Sequence, residues 1–380
     1  MFSDLLIKII VFLLPTQLGL HFWPSFSRVA GIKIDYLSPT LYLVDTLLIT
    51  LVLFNYKIII SFLKKNILFV CLFLSFIIIN TSFSLVPQNS LIWWLHLLLY
   101  LLFFITLKLR HLKWETIRTS LLCSTLLVVS LEIAQLIFQT SLNGPFYYLG
   151  ERAYSGSTPG IGRFNLFGLE ILRPMSTFSH SNSLAGFLLI VFYLFSFKSA
   201  KPWYKIIPFV GILLTFSKTA IVALAFIVFN LKPEIIISFS LALSLAQPLI
   251  QNYTSNWQSL SDRIFFLPYL RQIIINNPLT GTGLGNFIPA LGNFLPGSFL
   301  TPSKLQPIHN LPYLIISELG FLGTFLIIIS LLRQKVRQIL SNPLVLTLLA
   351  LVIFTGAFDH YIWTLPQNKL ILLLALSIML

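Results

Sequence analysis

His309 and Asn310 stand together where a polar stretch, residues 251 to 312, gives way to an apolar run. A histidine at such a loop-to-helix junction can take a proton from a substrate hydroxyl near neutral pH, as a general base. It can equally do no chemistry at all. The same stretch carries Asp262, Arg263, Arg271 and the glycines Gly281, Gly283 and Gly285. Guanidinium groups grip phosphate through paired hydrogen bonds, although a surface helix lying among lipid headgroups would display them in the same way. The alternating glycines imitate part of a dinucleotide fingerprint, but no βαβ pattern surrounds them, so that reading fails. A polar stretch of this kind inside an apolar chain points to a charged, membrane-bound substrate.

Further polar clusters lie at the ends of apolar runs. Arg173 to Asn182 leads into one of them, and its serines and Asn182 suit a helix N-terminus, which favours anions. A plain capped helix with one arginine at the headgroups explains it as well. Thr215-Phe216-Ser217-Lys218-Thr219 lacks the glycine that a phosphate-binding loop needs before its lysine, and no strand precedes it. Lys218 is then either a functional charge between two apolar segments or a side chain snorkelling to the interface. Glu318 follows His309 at a distance of nine residues, and Asp359-His360-Tyr361 lies near another end, where it would support His309 or merely cap a helix. Glu132 and Asp45, inside apolar runs, are expected to pair within a bundle.

The elements that position these residues are membrane helices. Of the 380 residues, 57% are hydrophobic and only 9% charged, with mean hydropathy +0.90. A soluble domain would carry about a quarter charged residues. Apolar runs long enough to cross a bilayer recur along the chain, and runs such as Leu344 to Phe354 lack the alternation of barrel strands. The expectation is an all-α, polytopic membrane protein, a single integral domain over residues 1–380. About twelve spans are expected, centred near residues 12, 46, 74, 98, 128, 191, 209, 224, 242, 322, 349 and 373. The first apolar run reads as a retained span, because Asp4 and Lys8 do not make a signal-peptide start and no small-residue cleavage site follows.

More than half of the 25 basic residues fall in short connections after even-numbered spans, among them Lys64, Lys65, Lys108, Arg110, Lys198 and Arg337. The positive-inside rule then places both termini in the cytoplasm. Two long loops, 140–181 and 251–312, face outward, the second between spans 9 and 10. The net charge of +14 forms no single stripe, so topology explains it better than nucleic acid does. Cys71 and Cys123 fit buried thiols rather than a disulfide or a metal site.

In order and spacing the clusters resemble the O-antigen ligase and polymerase superfamily of bacterial membrane glycosyltransferases. Thr177-Phe178-Ser179-His180-Ser181-Asn182-Ser183-Leu184-Ala185 is similar to its threonine-phenylalanine-x-x-x-asparagine-x-x-alanine helix start. Pro278-Leu279-Thr280-Gly281-Thr282-Gly283-Leu284-Gly285-Asn286-Phe287 is similar to its glycine turn, and His309-Asn310 with Glu318-Leu319-Gly320 to its histidine-asparagine and glutamate-leucine-glycine signature. The likeness covers residues 165 to 365.

The resemblance implies transfer of a glycan from an undecaprenyl diphosphate carrier to an acceptor, lipid A core or another lipid-linked repeat. The reaction would take place at the outer face of the bacterial cytoplasmic (inner) membrane, with inversion and without metal or other cofactor. It implies His309 as the base, and Arg263 and Lys218 on the diphosphate, with Arg173 and Arg271 as weaker candidates. Asn310, Glu318, Asn182 and His360 would support them. Lys218 stands where the family usually has arginine, which keeps the charge and loses the two-pronged fork. Its partners would be the carrier-linked donor, the lipid or glycan acceptor and membrane lipids, with no nucleic acid. A flippase for lipid-linked oligosaccharide or polysaccharide is the alternative. It would place ionisable residues along a path through the bundle, whereas these gather at one face apart from Glu132, Asp45 and His96.

Overall fold

Apolar runs interrupted by asparagine, proline and glycine divide the chain into helices. They are seen in a computed structural model that describes residues 2–158, 160–198, 201–247, 265–332, 336–337 and 340–380. Helix α1 (Phe2–Leu13) leads into a segment with two small antiparallel ladders, β1 (Gly19–His21) with β4 (Thr40–Tyr42), and β2 (Arg28–Val29) with β3 (Ile32–Lys33). Helices α2 (Leu43–Phe54) and α3 (Tyr56–Lys65) meet at a bend of 75°. Asn55 sits in that bend, its Nδ2 bonded to the Leu51 carbonyl and its Oδ1 accepting from Arg110, so its side chain competes with the helical ladder. Then come α4 (Ile67–Ser82), α5 (Pro87–Leu109) and α6 (Trp114–Phe138), followed by a hairpin of β5 (Arg163–Leu166) and β6 (Leu169–Leu172).

Helix α7 (Ser181–Lys198) is the centre of the bundle. It is apolar all round and buried from Ser183 through Phe195, the signature of a helix surrounded by others. Around it pack α6, α8 (Trp203–Leu214), α9 (Lys218–Val228) and, from the chain's far end, α16 (Pro366–Met379). Helix α10 (Pro233–Ala246) pairs with α14 (Pro343–Gly356), and α11 (Leu267–Asn276) lies against α13 (Leu311–Leu332). Short helices α12 (Phe287–Gly292) and α15 (Tyr361–Thr364) complete the set.

Among the described residues, four helices, α5, α6, α7 and α13 as far as Ser330, are long and apolar enough to cross a membrane, or five if the bent α2–α3 pair forms one span. Each of the twelve centres expected from sequence falls inside a helix, but α1, α4, α8, α9, α10, α14 and α16 are shorter than a crossing requires alone. Outward-facing Leu68, Phe83, Ile137, Phe229 and Leu245 suit a lipid surround.

The glycine string and the Glu318-Leu319-Gly320 segment form one unit. Gly320 adopts φ +65° inside α13 and breaks its ladder. The freed groups are taken up by the glycine turn: Thr282 N donates to Ser317 O, Gly283 N to Glu318 O, Phe321 N to Pro278 O and Leu322 N to Leu279 O, at 2.8–3.0 Å. A Cβ on Gly281 would meet the Glu318 carbonyl at 2.5 Å, and Gly281 has φ +70°, so both contact and conformation demand glycine.

Two expectations are corrected. Cys71 and Cys123 are free but exposed, because they fall on the outer faces of α4 and α6. Asp45 does pair, with His96 at 3.3 Å, and caps α2 through Tyr42 N. Glu132 does not: it is fully buried against Gly211 of α8, and neither carboxyl oxygen has a hydrogen-bond partner among the described residues.

Candidate active site

The segment before α7 has no regular ladder of its own and is held by side chains. Gln135 of α6 accepts from the backbone N–H groups of Met175 and Ser176 at 3.0 and 2.7 Å, and Thr177 Oγ1 donates to Pro15 O. This fixes the head of the central helix, where Asn182 sits in the first turn. The Asn182 carbonyl oxygen accepts from Arg173 Nη2 at 2.7 Å and from Ser217 Oγ at 3.1 Å. With the oxygen so occupied, the amide N–H₂ points away from them and donates to Asp359 Oδ2 at 3.0 Å.

Asp359 lies in the link between α14 and α15. Its other oxygen accepts from the His360 backbone N–H at 2.8 Å and faces His309 Nδ1 at 3.6 Å. That separation exceeds a hydrogen bond but is within reach of an ion pair. Burial alone would raise the Asp359 carboxyl. The His309 ring against it, helped by the neighbouring histidines, outweighs burial and holds it well below the usual carboxylate range.

His309 is itself aimed by its neighbour. Asn310 caps α13, its Oδ1 accepting from Tyr313 N at 3.2 Å, while its Nδ2 donates to Gln247 Oε1 at 3.0 Å. Gln247 in turn donates to Ala357 O at 2.8 Å. The head of α13 is thereby tied to the ends of α10 and α14, next to Asp359. The His309 side chain remains 17% exposed.

His360 is fully buried, its ring centre 5.0 Å from that of His309, and Thr364 Oγ1 is 2.9 Å from its Nδ1. Burial drives this imidazole down to about 3 against the pull of Asp359, so it is neutral at neutral pH. Tyr36, from the segment between α1 and α2, covers this corner. Its ring meets His360 edge-on at 5.7 Å and its hydroxyl lies 3.5 Å from His180 Nε2.

The arrangement is chemically coherent. A carboxylate facing one ring nitrogen of a histidine orients the imidazole and stabilises its protonated form, leaving the opposite nitrogen to take a proton.

The other residues singled out in the sequence fall in different places. Arg173 turns its guanidinium inward, Nε donating to Thr215 O at 2.9 Å and Nη2 to Asn182, so it positions Asn182. Lys218 is exposed at the first residue of α9, beside the Ser217 that holds Asn182. Arg271 is exposed at the flank of the buried stripe Leu267, Leu270 and Ile273 of α11, and no contact joins it to the His309 cluster among the described residues. Arg263 lies outside the described residues. Glu318 is buried, accepts from Trp363 Nε1 at 2.8 Å, and belongs with the glycine turn rather than with His309.

Asp359 is the residue of greatest consequence that motif order did not assign. Its only signal was an acidic residue adjoining His360 at a helix end. Tyr36 and Gln247 carried no signal, since each acquires its role only through folding. Compared with known proteins, the chain matches no family model, no curated protein and no solved structure.

Proposed function

We propose that this chain is a polytopic enzyme of the bacterial cytoplasmic membrane, crossing it about twelve times with both termini inside. It moves a glycan from an undecaprenyl diphosphate carrier to a hydroxyl of lipid A core or of another carrier-linked repeat. One observation carries the reading. Two segments far apart in sequence that bear the resemblance, at Asn182 and His309, meet on one carboxylate, Asp359, and Ser217, next to Lys218, is joined to it through Asn182.

In the proposed reaction the acceptor oxygen attacks the anomeric carbon from the face opposite the diphosphate, and the carbon–oxygen bond to phosphate breaks. The acceptor proton passes to the exposed nitrogen of His309. The electron pair of the broken bond leaves on the diphosphate, whose charge Lys218 and Arg263 neutralise. Diphosphate leaves readily once so neutralised, so positioning and cationic stabilisation supply most of the acceleration. One inversion results. Asp359 stabilises the imidazolium until its proton is released to water, and Asn182, itself fixed by Arg173, holds Asp359.

The test is bond formation by purified protein supplied with carrier-linked glycan and acceptor, with no nucleotide added. A new glycosidic product with inverted anomeric configuration supports the reading. Movement of the lipid-linked glycan across vesicles with no new bond would replace it by the flippase reading.

A further inference from the structure

Two buried imidazole nitrogens lie beside one carboxylate behind His309. One ring nitrogen of His309, one of His360 and a carboxylate oxygen of Asp359 all lie within 4.8 Å of one another. His309 Nδ1 and His360 Nε2 are both buried, and among the described residues neither has a hydrogen-bond partner, Asp359 Oδ1 lying 3.6 Å from the first. Polar atoms buried in this way ordinarily find a partner, because leaving them without one costs free energy.

Thr364 fits one tautomer of His360. With its hydroxyl donating to the His360 carbonyl at 3.2 Å, its oxygen accepts from His360 Nδ1 at 2.9 Å. In that tautomer Nε2 presents a lone pair. A ligand imidazole fixed through its second nitrogen is the usual support of a metal-binding histidine. Asn182 supports the third group in the same way by donating to Asp359 Oδ2, leaving Oδ1 on the histidine side.

We propose that His309, Asp359 and His360 form a binding site for a divalent transition ion of the zinc type. Two imidazoles and a carboxylate suit such an ion and do not suit magnesium or calcium, which prefer all-oxygen shells. Ligand atoms around one tetrahedral zinc lie roughly 3.4 Å apart, given bonds of about 2.0–2.2 Å. Closing the site then takes an inward movement of about 1 Å, well within reach of the half-buried His309 ring.

Binding and base catalysis exclude each other. An ion on His309 Nδ1 leaves the ring's proton on Nε2, which then donates and cannot accept the acceptor's proton. The ion is therefore an inhibitor of transfer, and this second half rests on the transferase reading whereas binding does not.

The experiment is titration of the purified full chain in detergent with Co²⁺ and Zn²⁺ alone. Wild type is expected to bind one Co²⁺ with tetrahedral absorption, displaced by Zn²⁺. His360→Ala and Asp359→Asn should weaken binding by at least about tenfold, Thr364→Val should weaken it with all ligands in place, and His21→Gln should leave it unchanged. Melting of each variant shows that it is folded, and Thr364→Val keeps the test sharp if a ligand variant is not. Absence of saturable binding to wild type, or equal binding by wild type and Thr364→Val or His360→Ala, overturns the site. Zn²⁺ should halt transfer, with recovery on chelation. Binding without inhibition overturns only the inhibitory role, and binding by a protein that forms no glycosidic bond overturns the transferase reading and leaves the site standing.

Discussion

Replacing Asp359 by asparagine changes one oxygen to an amide nitrogen and removes a charge at the centre of the cluster. The asparagine oxygen can still accept from the His360 backbone N–H, now at 2.8 Å. Its new N–H₂ group then faces the Asn182 Nδ2 that donates at 3.0 Å, so one buried hydrogen bond is lost and two donors confront each other. The larger effect falls on His309. At the 3.6 Å separation seen here, a carboxylate stabilises an imidazolium by roughly 4–5 kcal/mol at an effective dielectric constant of about 20. Since about 1.4 kcal/mol is a factor of ten in rate, Asp359→Asn should lower kcat about a thousandfold and leave KM nearly unchanged. Initial rates of glycan transfer by purified protein, over a range of acceptor concentrations, measure both. A fall of less than about tenfold in a folded variant would refute the claim that Asp359 stabilises a protonated His309.

Gly320→Ala should destabilise the protein by at least about 2 kcal/mol, because the residue has φ +65° and a Cβ would lie 2.3 Å from the Leu279 carbonyl oxygen. Thermal melting in detergent reads this, and an unchanged midpoint would show that the glycine turn does not need its close approach to α13. Asn310→Ala removes both the α13 cap and the tie to Gln247, and should cost about 1–2 kcal/mol together with a loss of transfer larger than any change in acceptor KM. Glu132→Gln should leave melting unchanged or raise it, since the carboxyl has no hydrogen-bond partner to lose among the described residues. Marked destabilisation there would reveal a partner for Glu132.

The sequence made some of this legible because hydropathy and helix starts are local properties. The junction at His309, the amphipathic α11 with Leu267, Leu270 and Ile273 inward, and the turn at Gly281 to Gly285 could all be seen from residue order. What the glycines do could not, because their partners at Ser317 and Glu318 are a helix away in sequence and meet them only through a break at Gly320. The role of Arg173 was hidden for a related reason. An arginine at a helix start looks available to a phosphate, and only the fold shows its guanidinium turned to Thr215 and Asn182. Burial of cysteines was misjudged because an apolar helix in a membrane has an apolar outer face too, so composition does not tell inside from outside.

The central claim is that His309 takes the acceptor's proton in a glycan transfer. The most direct measurement is the single-turnover rate of product formation by purified wild type and His309→Ala, each saturated with carrier-linked donor and acceptor and each shown to be folded by melting. The account predicts that the variant binds both substrates with little change and forms product at least a hundredfold more slowly. Product formed by His309→Ala at the wild-type rate would contradict it.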